Sequence, residues 1–356
     1  MIGDRIKYAR KGAGLSLRGL AEIVKVSHSA IQKYEKGFDV PSSPVLIALA
    51  KALNVSIDYF FRESVVSLSS ANFRKRSRLG KKKQATILAK ALEFLERYVQ
   101  VEELSPYDRI NFKKPRCFSQ KLESLEDVED AAISLRNSWQ LGMGPISSLV
   151  EEIEEKGVKI VITSIEDEQF DGCSAFVNNN TPVVCIAREW PGDRQRFTIA
   201  HELGHLMIGD YAQHLNGENI ANRFAGAFLL PRDTVMKELG RHRHSFLIRE
   251  LIDLKLKYGV SIQCWIRRAF DVGIISKSFY TSIMIDFGKR GWRKKEPGEL
   301  VNREKPKRME RKVYRALREN MVSEAKAAEL LNISISTLRE LIHPSREGDN
   351  LGYVGG

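Results

Sequence analysis

The sequence predicts an α+β chain that is mostly helical: five short helices come first, a small sheet beside a histidine-bearing helix lies in the middle, and a helical region closes the chain. Three observations predict it. Apolar residues recur at three- and four-residue spacing along most of the chain. A β-branched run at 157–162 and two apolar stretches on either side of Asn178, Asn179 and Asn180 break that rhythm with strand-like patterning. The pattern H-E-x-x-H stands at 201–205, inside one of the helical stretches.

Length and composition bound the reading. The 356 residues suffice for two or three domains, each with its own core. Four cysteines, Cys117, Cys173, Cys185 and Cys264, lie far apart with no C-x-x-C pair, which favours buried thiols in a reducing cytoplasm over disulfides or cysteine-bound metal. The first residues lack the apolar segment of a signal peptide, and no apolar run has the length of a membrane span, so a cytoplasmic protein with no membrane partner is expected. A net charge of +12 favours an anionic partner, with nucleic acid the commonest.

The N-terminal helices follow from their caps. Ile2, Ile6 and Ala9 share one face of the first, which Gly12 and Gly14 end. Ser16 caps a second carrying Leu17, Leu20, Ala21 and Val24. After a tight turn at Lys25 and Val26, Ser27 caps a third, with Ile31 and Tyr34 inward and Gly37 at its end. That is a helix-turn-helix, and its second helix offers His28, Ser29, Gln32 and Lys33 outward to base edges or phosphates. Two more helices, 44–52 and 56–61, complete the core. The layout SLRGLAEIVKVSHSAIQKYEKG, then P-x-x-x-L-x-x-x-A-x-x-L-x-V, resembles the XRE (lambda-repressor-like) DNA-binding family over nearly all of 1–62. The resemblance implies double-stranded DNA as partner and Gln32 and Lys33 as recognition-helix positions, beside Ser27, His28 and Ser29.

A basic linker, 63–82, leads to an amphipathic helix at 83–104 with a stripe of Ile87, Leu88, Ala91, Leu92, Leu95, Tyr98 and Val99, suited to packing or to a homodimer. Helices at 124–141 and 146–156 precede the strands at 157–162, 173–177 and 182–187. The hairpin formed by the last two serves either packing or the capture of an extended chain by strand addition.

Next comes RFTIAHELGHLM, 196–207. On a helix, residues four apart face the same way, so His201 and His205 can share one Zn²⁺. Glu202, on a neighbouring face of the same turn, reads as a general base rather than a ligand. The apolar flanks mark the helix as buried, where polar side chains need partners. The best third ligand is Glu218, in the first turn of a helix with Ala221, Phe224, Ala225, Phe228 and Leu229 at helical spacing and Pro231 at its stop. The runner-up is His214, in the connecting loop.

RFTIAHELGHLM followed by ENIANRFAGAFLLP is similar to the ImmA/IrrE family of metallopeptidases. The resemblance covers roughly 120–275 and implies a zincin-like domain with zinc on His201, His205 and Glu218 and Glu202 as acid/base. It also touches Phe170-Asp171-Gly172, which looks like the family's F-D-G. It implies a zinc endopeptidase acting on a protein, a repressor or antitoxin-like one. The alternative is a transcription factor or antitoxin whose peptidase-like domain only senses metal, ligand or partner.

The expected domains are therefore 1–62, the linker 63–82, a connecting helix 83–119, the peptidase-like domain 120–275 and a helical C-terminal region 276–356. Within the peptidase-like domain, helices at 232–240, 245–257 and 261–270 follow Pro231. Arg241-His242-Arg243-His244 fits a solvated turn better than a metal site, and Trp265 fits the core. In the last region AKAAELLNISISTLREL, 325–341, again reads as helix, turn and Ser-capped helix, open to DNA contact, packing or dimerisation.

Overall fold

Ser16, Ser27, Ser323 and Ser334 each cap a helix start near the two ends of the chain, and the helices follow the apolar periodicity. The computed structural model describes residues 2–62, 66–69, 80–104, 109–115, 122–164, 170–208 and 216–343. It divides into one unit of 1–93 with 110–306 and another of 94–109 with 307–356. No helix among the described residues is long and apolar enough to cross a membrane.

In the first unit, α1 (Ile2–Gly12), α2 (Leu17–Val24), α3 (His28–Lys36) and α4 (Ser43–Leu53) enclose Ile6, Leu20, Ile31, Leu49 and Phe60. The fifth expected helix is a 3₁₀ turn, Ile57–Phe61, because five residues close too few i→i+4 bonds for an α-helix. Ser16 Oγ accepts from Gly19 N and Ser27 Oγ from Ala30 N, so both cap serines act as expected. Arg10 ties α1 to α3 through a two-pronged pair with Glu35, one bond being 2.9 Å.

The sheet has one strand more than the sequence predicts. Its order is β1 (Leu68–Ser69), β3 (Gly172–Val177), β4 (Thr181–Ala187), β2 (Lys159–Thr163), with β2 parallel to β4 and the other pairs antiparallel. Within the stretch expected as linker, Ser67 N donates to Asn178 Oδ1 at 2.9 Å and Asn178 N to Ser67 O at 2.9 Å. That exchange fastens β1 to the outer edge of β3, the edge the hairpin would otherwise offer to an extended chain. Most of that linker, including Arg74, Arg76 and Arg78, and the candidate ligand His214 lie outside the described residues.

Helices α5 (Lys81–Leu104), α6 (Leu125–Ser138) and α7 (Leu149–Glu154) come before or between the strands. After the sheet follow α8 (Gly192–Ile208), α9 (Gly217–Leu229), α10 (Arg232–Leu239), α11 (Ile248–Tyr258), α12 (Ile262–Asp271) and α13 (Lys277–Lys289). One core joins the inner sheet face, through Val184 and Ile186, to α8, α9 and α12, with Trp265 fully buried. Burial lowers the Arg136 guanidinium to about 10; its three bonds, to the carbonyls of Gly142, Gly144 and Phe228, hold the loop after α6 against α9.

Residues 296–304 form a strap across the start of α8. Gly192 N donates to Val301 O at 3.0 Å, and Arg196 Nη1 meets Glu304 Oε1 at 2.7 Å, both side chains being buried. Glu304 Oε2 also accepts from Val150 N at 3.1 Å, and Gln195 Oε1 accepts from Glu304 N at 3.0 Å. At the strap's other end Glu296 accepts from Ile262 N and Gln263 N, 2.8 and 2.9 Å, and faces Lys255 at 3.3 Å.

The second unit packs the end of α5 with α14 (Arg308–Arg318), α15 (Glu324–Leu331) and α16 (Ile335–Ile342) around Tyr98, Val101, Val313, Ala327 and Leu338.

Candidate functional site

Two small residues let the site form. A Cβ on Gly204 would lie 3.0 Å from Phe224 Cδ1 and 3.3 Å from Ala221 Cα, so α8 and α9 cross at nearly backbone contact there. A Cβ on Gly172 would lie 2.5 Å from Thr198 Cγ2 and 2.8 Å from Cys185 O, so β3 likewise lies close against α8. The F-D-G residues divide their duties. Phe170 is buried and its carbonyl accepts from Trp190 Nε1, while Asp171 pairs with Arg194 at 2.6 Å.

The crossing brings the three expected ligands together. His201 Nε2 and His205 Nε2 are 3.1 Å apart, and Glu218 reaches them at 3.7 and 3.6 Å. Asn216 caps α9 through its Oδ1, accepting from Glu218 N at 3.0 Å and Asn219 N at 3.1 Å, which fixes the turn that carries the carboxylate. Ligands held tetrahedrally at ordinary zinc distances stand roughly 3.3–3.6 Å from one another, and the three separations straddle that range. Two imidazoles and a carboxylate also match the donor set that zinc takes in hydrolases, and they are the one such group of three among the described residues. Exposure rises across the set, with side chains 2 % exposed at His201, 20 % at His205 and 47 % at Glu218. The site is therefore open on the Glu218 side and closed behind His201.

Two further side chains orient residues of the site, one acting on a member of this set and the other on Glu202, and neither was assigned a role from sequence. His201 Nδ1–H donates to Asn222 Oδ1 at 2.9 Å, which turns the Nε2 lone pair toward His205 and Glu218. Asn222 lies four residues after Glu218, so the spacing that places both on one face of α9 was the available signal. Ser174, fully buried on β3, donates its hydroxyl to Glu202 Oε2 at 2.8 Å, and Glu202 is itself 1 % exposed. A serine between buried Cys173 and Ala175 was the only hint of that contact.

A cleft of about 490 Å³ opens beside the centre, lined by Phe197, Asn219, Asn222, Arg223, Arg267 and Tyr280 among others. In the N-terminal bundle, Ser27, His28, Ser29, Gln32 and Lys33 are all exposed on one helix start and its outer face. Tyr34 is half-buried against the core, as the periodicity predicts. His242 and His244 lie in the loop after α10, and the arginine between them donates to Leu239 O and pairs with Glu250.

Comparison with known proteins covers both parts. A family model described as Helix-turn-helix matches residues 6–60, and one described as IrrE N-terminal-like domain matches 153–270. Residues in the first part are 45% identical over 60 residues to an uncharacterized HTH-type transcriptional regulator, RP497, of Rickettsia prowazekii, covering 17% of this chain and 46% of that one. The HTH-type transcriptional regulator DicA of Escherichia coli is 40% identical over 55 residues, 15% of this chain and 41% of its own. The HTH-type transcriptional regulator ImmR of Bacillus subtilis is 32% identical over 66 residues, 18% and 52% respectively. The chain spans about half the length of these curated relatives.

Proposed function

We propose that this chain, which joins an XRE-type helix-turn-helix domain to an IrrE-like domain, is a DNA-binding transcriptional regulator carrying a zinc-dependent endopeptidase. The observation that carries the peptidase reading is the spacing of the three donor atoms of His201, His205 and Glu218, which suits one tetrahedral ion, with the Glu202 carboxyl buried next to them in sequence. These three would hold Zn²⁺. When bound, zinc supplies Lewis-acid polarisation of a carbonyl and makes water more acidic.

The remaining steps belong to the chain's own residues. Glu202 takes the proton of the attacking water and passes it to the leaving amine, acting as base and then acid. Ser174 holds the Glu202 carboxylate from one side, fixing its orientation. Asn222 fixes the His201 ring. The cleft beside the centre is the place for the substrate's flanking residues. The substrate is a protein of the repressor or antitoxin class, and duplex DNA meets Ser27, His28, Ser29, Gln32 and Lys33. Likeness of the first residues to HTH-type transcriptional regulators supports the DNA half of the reading.

Glu202→Gln tests the enzyme. The purified variant should keep its zinc, its fold and its DNA affinity, and should lose on the order of 10²–10⁴-fold in the rate at which it cleaves a neighbouring gene's product. If instead the variant regulates its promoter as wild type does, with the partner left at full length by both, the domain is a sensor and the peptidase reading fails.

A further inference from the structure

The two ends of the chain carry the same local architecture. Ser16, Ala21, Ser27 and Ser29 recur as Ser323, Ala328, Ser334 and Ser336, at one constant offset and without a gap. The helices around them match in length: α1 and α14 have 11 residues each, and α2 and α15 have 8 each. Between second and third helix the chain turns through a left-handed residue at each end, Lys25 at φ 57, ψ 44 and Asn332 at φ 56, ψ 45. The bond closing that turn is 3.0 Å in both, Val26 N to Ala21 O and Ile333 N to Ala328 O. Ser27 and Ser334 then cap the third helix at 3.1 and 3.0 Å, and each touches a second hydroxyl two residues on, at 2.9 and 2.7 Å. Ile6, Leu20 and Ile31 are fully buried in one, Val313, Ala327 and Leu338 in the other.

What the two present outward differs. Where α3 shows His28, Ser29, Gln32 and Lys33, α16 shows Ile335, Ser336, Arg339 and Glu340, all exposed. Those groups are of the kind that read duplex DNA. An arginine pairs with guanine in the major groove, an aliphatic side chain meets a thymine methyl, and a serine at a helix start meets phosphate. Arg339 is bonded to Glu324 at 2.7 Å, but with the two side chains 65 % and 39 % exposed this is a surface pair that a base edge can displace at little cost.

We propose that residues 308–342 form a second DNA-reading module, a diverged copy of the first, which inserts α16 into the major groove of duplex DNA. It binds more weakly than the first. Residues 308–342 hold seven basic and five acidic side chains, a net charge of +2, where 2–36 hold eight and three, a net charge of +5. Fewer phosphate contacts follow from that balance, so its affinity falls less steeply with salt and depends more on base contacts.

The experiment uses the full chain carrying Gln32→Ala and Lys33→Ala, so that the first module is silenced, and a randomised duplex pool as probe. This variant should enrich a sequence motif. Adding Ser336→Ala and Arg339→Ala should lower affinity for the enriched duplex about tenfold or more, with the thermal melt unchanged because both side chains are exposed. Wild type enriching a motif while the Gln32/Lys33 variant enriches none overturns the proposal and leaves the first module standing. No enrichment by either overturns both. If Ile335→Glu turns a dimer into a monomer by light scattering while the enriched motif is bound as before, the module is a contact between two copies of the chain and the proposal is wrong.

Discussion

Gly204→Ala tests whether the crossing of two helices sets the proposed metal centre. The new Cβ would meet Phe224 Cδ1 at 3.0 Å and Ala221 Cα at 3.3 Å. Carbon atoms in unstrained contact stay about 3.5–4.0 Å apart, so the closest approach is short by roughly 0.5 Å. Neither neighbour can give way by itself. Phe224 is fully buried and stacked on Phe228 at 5.7 Å, and Ala221 offers a backbone atom. The helices must therefore part. Overpacking of this kind costs about 1–3 kcal/mol, while alanine returns about 1 kcal/mol of helix propensity, for a net loss of about 0–2 kcal/mol. Stability is thus the smaller effect. Glu218 rides on α9 one turn before Ala221, and a displacement of about 0.5 Å exceeds the roughly 0.2 Å that metal–ligand distances tolerate. Zinc affinity should fall at least tenfold, a size usual for disturbed ligand support. Urea unfolding of the metal-free protein measures the first effect and competition with a chromophoric chelator the second. Wild-type zinc affinity in Gly204→Ala, whatever its stability, would refute the claim that this crossing distance positions Glu218.

Three other outcomes can be checked with the same preparations. Glu218→Ala should yield a folded protein with little zinc by metal analysis; zinc kept there and lost in His214→Ala would transfer the third ligand to His214. Glu304→Ala leaves Arg196 buried without its carboxylate and should cost about 3–5 kcal/mol in denaturant unfolding; a loss under about 1 kcal/mol would mean that the strap does not hold α8. Burial pushes the Cys264 thiol up to about 12, and Cys173 and Cys185 are buried too. In a Cys117→Ser chain at pH 8 the native protein should react with an aromatic disulfide only as fast as it unfolds, and prompt labelling would contradict the packing. Because the folded thiol of Cys264 titrates above the unfolded one, its neutral form stabilises the fold below the unfolded value, and this contribution is lost as pH rises toward about 12.

By itself the sequence determined the parts of this protein that depend on short spacing. His201 and His205 stand four apart, so any helix through them puts both on one side, and the serines at 16, 27 and 334 announce the helix starts they cap. Glu218 was legible as well, since the apolar rhythm after it defined the helix whose first turn it occupies. What only the tertiary structure decided lies between elements. The contact of Ser174 with Glu202 joins a strand to a helix, and that of His201 with Asn222 joins two helices that approach this closely because Gly204 lacks a side chain. Arg196 and Glu304, 108 residues apart, pair because a strap returns over the start of α8, and Leu68–Ser69 becomes a strand because Asn178 is there to receive it. Periodicity records which face of an element is buried, but it carries no information on which distant residue will cover that face. Packing supplies that partner, by matching shapes and satisfying buried polar groups across the whole chain at once.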